Sequence, residues 1–178
     1  MELKKFTIGS KAIKFAVVLN PESKDENVAT EERNVTAHEE PLPELPAAFG
    51  KLPPVFCEIM ELPAEYATGL SVTGFTISHT KQGTRSVKLH AKKQLETRTD
   101  FLHPMSSPMI QIDKPADGES GDVQLKDPKM LKALNKAIKE AENYAGGKRS
   151  QKLLNFNEGR AGLQALADQG QSQLGFGS

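Results

Sequence analysis

Tryptophan is absent from this 178-residue chain, tyrosine occurs twice and cysteine once, and its charges cancel, with 23 Lys and Arg against 23 Asp and Glu. Each shortage removes a class of protein. The lone Cys57 excludes a disulfide scaffold and a cysteine-based zinc site, and it suits a reducing compartment. Zero net charge excludes a chain that attracts polyanions through its overall field. No apolar run approaches the roughly 20 residues that cross a bilayer, so no membrane partner is expected. Ala12 to Leu19 follows Lys4 and Lys5 in the manner of a signal peptide. Lys14 interrupts it and no small-residue cleavage site follows, so it is read as an amphipathic strand and the expected location is cytoplasmic. A phosphate-binding P-loop, a G-x-G-x-x-G turn and a G-x-S-x-G elbow are also missing.

The zero balance hides two opposed blocks. Residues 22–44 carry Glu22, Asp25, Glu26, Glu31, Glu32, Glu39, Glu40 and Glu44 against Lys24 and Arg33. Residues 79–98 carry Lys81, Arg85, Lys88, Lys92, Lys93 and Arg98 against Glu96, with His79 and His90 in addition. A surface field is screened beyond about 8–10 Å at physiological salt, so local blocks, not the total, choose partners.

Hydrophobic periodicity outlines one α+β domain over residues 1–146, a mainly antiparallel sheet with a C-terminal amphipathic helix packed on it. Residues 3–19 read as a hairpin turning at Gly9-Ser10, with Ile13, Phe15, Val17 and Leu19 on one face. Residues 20–33 read as a polar loop and Asn34 to His38 as a short strand. Between Pro41 and Pro63 the apolar spacing predicts two short helical pieces broken near Gly50 and at Pro53-Pro54, although Val55 to Leu62 also fits a buried strand. Leu70–Thr80 and Arg85–Leu95 form the clearest hairpin: Val87, Leu89 and Ala91 point one way, Lys88, His90 and Lys92 the other. Ser107–Asp113 predicts one more strand, and Lys114–Asp122 an exposed loop. Asp127 as N-cap, Pro128 in the first turn and Leu131, Leu134, Ile138 and Ala141 at helical spacing predict a helix over 128–145. Its opposite face carries Lys132, Lys136 and Lys139.

Beyond Gly147 the composition changes. Residues 146–178 hold seven glycines and five of the chain's nine glutamines, with no Val, Ile, Thr or Pro, and 147–178 is read as a flexible tail. The tail repeats one pattern, Q-x-x-L-x-F: Gln151, Leu154 and Phe156, then Gln171, Leu174 and Phe176. Leu and Phe at that spacing suit apolar anchors for a preformed pocket, with the Gln amide at its rim. The pattern resembles the short peptide by which bacterial polymerases, mismatch-repair and other DNA-processing proteins bind the β sliding clamp. Asn155 and Gly175 stand where the preferred bacterial form has Leu. The resemblance covers six residues at each site and implies a sliding clamp as partner.

Chemistry-bearing residues are sparse. His38, His79, His90 and His103 with Cys57 show neither i,i+4 nor C-x-x-C spacing, so no metal and no cofactor is expected. Glu96, Asp100 and His103 sit near one another and suit a divalent-ion nuclease, but no recognised nuclease pattern accompanies them. Arg85, Lys88, His90, Lys92, Lys93 and Arg98 suit a phosphate backbone, and Phe75 is the local candidate for base stacking.

The expected function is therefore a non-enzymatic accessory protein of DNA replication, recombination or repair. It would hold single- or double-stranded DNA through the basic hairpin and a clamp through its tail. Two alternatives stay open: a phage-encoded inhibitor of a host complex whose acidic 22–44 block imitates nucleic acid, and a small metal-dependent nuclease.

Overall fold

The computed structural model describes residues 1–19, 31–79, 84–95, 97–113, 123–125 and 127–149, with the backbone alone at 98–100 and 123–124. The N-terminal alternation forms β1 (Glu2–Ile8) and β2 (Ile13–Leu19), closed by the Gly9 N–H donating to the Ala12 carbonyl at 3.0 Å. The next strand, β3 (Glu31–Ala37), starts three residues before the expected Asn34 and pairs along all of β2. Its acids look like loop residues, but they lie on an exposed edge strand, where charge costs little and discourages further pairing.

Two short helices follow, α1 (Glu44–Phe49) and α2 (Pro53–Ile59). The prolines that look like a break open α2 instead, since the first helical turn has no use for their missing N–H groups. The alternative strand over 55–62 is not formed. Glu61 ends α2 in the left-handed region at φ 52°, and the Leu62 N–H closes back on the Cys57 carbonyl at 2.9 Å. A side chain is strained there, so Glu61→Gly is expected to stabilise the fold by about 0.5 kcal/mol, and a small rise in a thermal melt checks it.

Four strands complete the sheet after a 3-10 turn (Ala64–Ala67): β4 (Leu70–His79), β5 (Arg85–Leu95), β6 (Arg98–Ser106) and β7 (Ile110–Gln111), with the short β8 (Val123–Gln124) beyond them. The strand expected over 107–113 contracts to β7. In its place β6 arises where the pattern predicts none, as the partner of the C-terminal half of β5. The order across the sheet is β3-β2-β1-β4-β5-β7-β8, with β6 also on β5; every pairing is antiparallel except β7 with β8.

The last helix, α3 (Pro128–Ala145), takes the predicted bounds, capped by the Asp127 carboxylate accepting the Lys129 N–H at 2.8 Å. All three helices bury their apolar side chains in one core against one face of the sheet. Phe6 pairs across the strands with Phe15 and with Phe75, and the three rings form a stripe. Phe49 of α1 rests on Phe6 and Phe75, while Tyr144 of α3 meets Phe6 and Phe15 edge-on. The Tyr144 hydroxyl donates to the Glu39 carbonyl at 2.6 Å, and Arg149 bonds the Glu39 carboxylate at 2.8 Å while lying over the Tyr144 ring. That clasp fixes the end of α3 to the segment after β3. The architecture is thus α+β, a mainly antiparallel sheet with the C-terminal helix packed on it. Of the stretch read as tail, residues 147–149 are described and Arg149 is held in this clasp; residues 150–178, with both glutamine-led peptides, lie outside the described residues.

Candidate nucleic-acid interface

Among the described residues one face of the sheet carries no helix, and alternation along each strand decides what this helix-free face presents. Because Phe6, Phe15, Phe75 and Leu89 point to the core, their neighbours point away. Register lines these neighbours up in two rows across the strands. One runs Asn34, Ala16, Lys5, Thr76, Lys88, and the next runs Thr36, Lys14, Thr7, Gly74, His90, Ser106. Lys92 lies one step further along β5, opposite Ser71. The small Ala16 and Gly74 leave this face low between the lysines. A depression of about 350 Å³ is lined by Lys5, Thr7, Lys14, Ala16, Asn34 and Thr36.

Lys5, Lys14, Lys88 and Lys92 therefore share one face, and none has an ion-pair partner among the described residues. Glu2 and Glu32 sit by register beside Val18 at the far end of that surface. The Glu2 carboxylate is taken up by Lys4 at 2.7 Å and by His79 at 2.8 Å. His90 is half-buried in the middle: one ring nitrogen lies 2.9 Å from the Thr76 hydroxyl and the other 3.0 Å from the Ser106 hydroxyl. Burial first, then the charges of Lys5 and Lys88, hold its pKa below the ordinary histidine range.

The sign of the resulting pH effect is definite. The unfolded chain takes up the His90 proton before the folded chain does, so its stabilising contribution is intact above about pH 6.5 and is lost as pH falls through the depressed folded pKa. Phosphates that neutralise Lys5 and Lys88 would raise that pKa, so binding should be accompanied by proton uptake. A ring titration of His90 by NMR, without and with oligonucleotide, is expected to move upward on binding.

The other residues predicted for this surface are placed elsewhere. Arg85 and Lys93 follow the parity of Val87, Leu89 and Ala91, and both point to the helix side. Arg85 is tied to Asp113 by two bonds of 3.0 Å, with its own N–H on the same carboxylate at 3.1 Å. The guanidinium holds the Asp113 carboxyl below its usual range. Lys93 lies 4.5 Å over the Tyr66 ring and donates to the Tyr66 carbonyl at 3.1 Å and to that of Thr68, closing the 3-10 turn. Arg98 belongs to β6 by its backbone, and its side chain is not described. Phe75 is fully buried and cannot stack on a base; among the described residues the exposed aromatic ring is Phe101, 49% accessible, beside Leu102 on β6. No local pattern points to Lys5 and Lys14, because they join Lys88 only through the β1–β4 pairing, which links residues some seventy positions apart.

The residues of the rival chemistries fall partly outside the described residues. No group of three His, Cys, Asp or Glu among the described residues can hold a metal ion. His103 is exposed on β6, Glu96 lies outside the described residues, and the Asp100 side chain is not described. Cys57 is buried, and burial pushes its thiol pKa up, away from a nucleophile. Of the acidic block, residues 22–30 lie outside the described residues, while Glu31 bonds Arg33 at 2.7 Å and Glu39 bonds Arg149. Among the described residues no helix is long and apolar enough to cross a membrane. No family model matches this chain, and no curated protein and no solved structure does either.

Proposed function

We propose that this chain is a non-enzymatic nucleic-acid-binding accessory protein of DNA replication, recombination or repair, and that it holds the phosphate backbone on the open face of its sheet. The observation that supports this most is the placement of Lys5, Lys14, Lys88 and Lys92 on one helix-free surface with no partner for their charge among the described residues. Four ammonium groups set in a field of Thr, Asn, Ser and His offer point charges and hydroxyl donors to phosphate oxygens, and little with which to read base edges. Binding is accordingly sequence-independent and salt-sensitive. Fluorescence anisotropy with labelled single- and double-stranded oligonucleotides of mixed sequence tests it. The reading requires binding at low salt that weakens by about 0.7–0.9 log units per log of salt for each phosphate contacted. No binding in low salt to either form ends it.

The tail supplies the second half of the proposal. Gln151, Leu154 and Phe156 dock on a bacterial sliding clamp, and Gln171, Leu174 and Phe176 form a second, weaker copy. The resemblance of these peptides to clamp-binding motifs is what supports this half. With purified clamp, Leu154→Ala together with Phe156→Ala should remove most of the affinity while leaving oligonucleotide binding intact. Equal clamp binding by the variant contradicts the docking role.

A further inference from the structure

The open sheet face is not the one concentration of unpaired cations. On α3, Lys129, Lys132, Lys136 and Lys139 are all exposed, and their spacing of three, four and three residues sets them in a single stripe over three turns. Leu134, Ala137, Ile138, Ala141 and Tyr144 take the buried side of the same helix. Since Tyr144 packs on Phe6 and Phe15, α3 lies on the covered face of the sheet, and its lysines look out on the side of the molecule opposite Lys5, Lys14, Lys88 and Lys92.

The stripe works against the helix that carries it. Lys129–Lys132, Lys132–Lys136 and Lys136–Lys139 are like-charge neighbours at i,i+3 or i,i+4, a destabilising arrangement. Lys129 and Lys132 also sit near the N-terminal end, where the helix dipole favours acids. Glu140 and Glu142, four residues beyond Lys136 and three beyond Lys139, offset only the last part of the stripe, and they stand where the dipole favours bases. None of the four ammonium groups has an ion-pair or hydrogen-bond partner among the described residues. An amphipathic membrane helix would flank such a stripe with exposed large apolar residues. Those exposed among the described residues, Met1, Phe101 and Leu102, are not on α3.

We infer that the α3 stripe is a second phosphate-backbone surface, so that one chain grips two nucleic-acid segments on opposite sides and bridges them. The bridge rests on the open-face reading; the α3 contact does not. The test uses the full chain, beads carrying one DNA duplex, and a fluorescent duplex in solution that reaches the beads only through protein. The wild type should capture it. Lys132→Glu with Lys136→Glu should reduce capture at least tenfold, without lowering the melting temperature, while binding to a single free duplex falls far less. Lys88→Glu with Lys92→Glu should also lose capture yet keep weak low-salt binding that the α3 changes then remove.

Capture undiminished by the α3 changes overturns the inference, since bridging would then come from self-association. So does an open-face variant whose residual binding is untouched by the α3 changes. Stripe-dependent binding to phosphatidylserine vesicles with no stripe-dependent DNA capture overturns it in favour of a membrane surface. If instead the open-face variant binds a single duplex as well as wild type and only the α3 variant loses it, the open-face reading fails and the α3 surface stands.

Discussion

Reversing Lys88 and Lys92 together to Glu is expected to weaken oligonucleotide binding by roughly 100-fold at low salt. Two attractions are removed and two repulsions added, each worth about 0.7 kcal/mol for charges a few ångströms apart in water, and every 1.4 kcal/mol is tenfold. The fold should be untouched, because both side chains project from β5 on the helix-free face, away from buried Val87, Leu89 and Ala91. Substitutions at such positions usually change stability by no more than about 0.5 kcal/mol. Removing the Lys88 charge should also let the His90 pKa rise, which reports the local field without any ligand. Anisotropy for binding and a thermal melt for folding separate the two effects. Unchanged affinity in a folded variant contradicts the proposed interface.

The largest effect on stability is expected from a single methyl group. At Gly74 a Cβ would stand 2.1 Å from the Phe6 carbonyl oxygen, 3.0 Å from the Thr7 Cα and 3.1 Å from the Phe6 carbonyl carbon. All three are backbone atoms of β1, so no side chain can swing away to make room. Lys5↔Thr76, Phe6↔Phe75 and Thr7↔Gly74 form the short ladder that joins the β3-β2-β1 half of the sheet to β4 and β5. Forcing it apart would open the Phe6–Phe75 stack and move Lys5 and Lys14 away from Lys88. Gly74→Ala should therefore cost about 3 kcal/mol or more, a drop of roughly 6–12 °C in melting temperature for a domain of this size. Nucleic-acid affinity should fall with it, because the basic surface spans that junction. A melting temperature within about 2 °C of wild type would show that β1 and β4 do not approach so closely.

What could be read without the structure follows the range of the interactions involved. The hairpin over 3–19, the hairpin over 70–95 and the helix over 128–145 are written in local alternation or helical spacing, and their bounds differ little in the fold. The first residues of β3 and all of β6 are not. Glu31-Glu32-Arg33 and Asp100 with Pro104 break the apolar alternation that marks a strand, and both segments are ordered by the neighbour they pair with. The paired prolines of α2 look the same whether they end a helix or begin one. For the interface, Lys88, His90 and Lys92 were legible from alternation alone. Alternation equally sets Arg85 and Lys93 on the other side, away from the stripe with which sequence proximity alone groups them. Lys5 and Lys14 needed the strand order, which no local pattern contains.

The central claim is that the helix-free face of the sheet holds the phosphate backbone, and a two-dimensional amide NMR titration with a short oligonucleotide tests it most directly. The account predicts that signals of Lys5, Thr7, Lys14, Thr36, Thr76, Lys88, His90 and Lys92 move together and saturate with one affinity, whatever else shifts on α3. Saturating oligonucleotide that leaves these positions unmoved would contradict it.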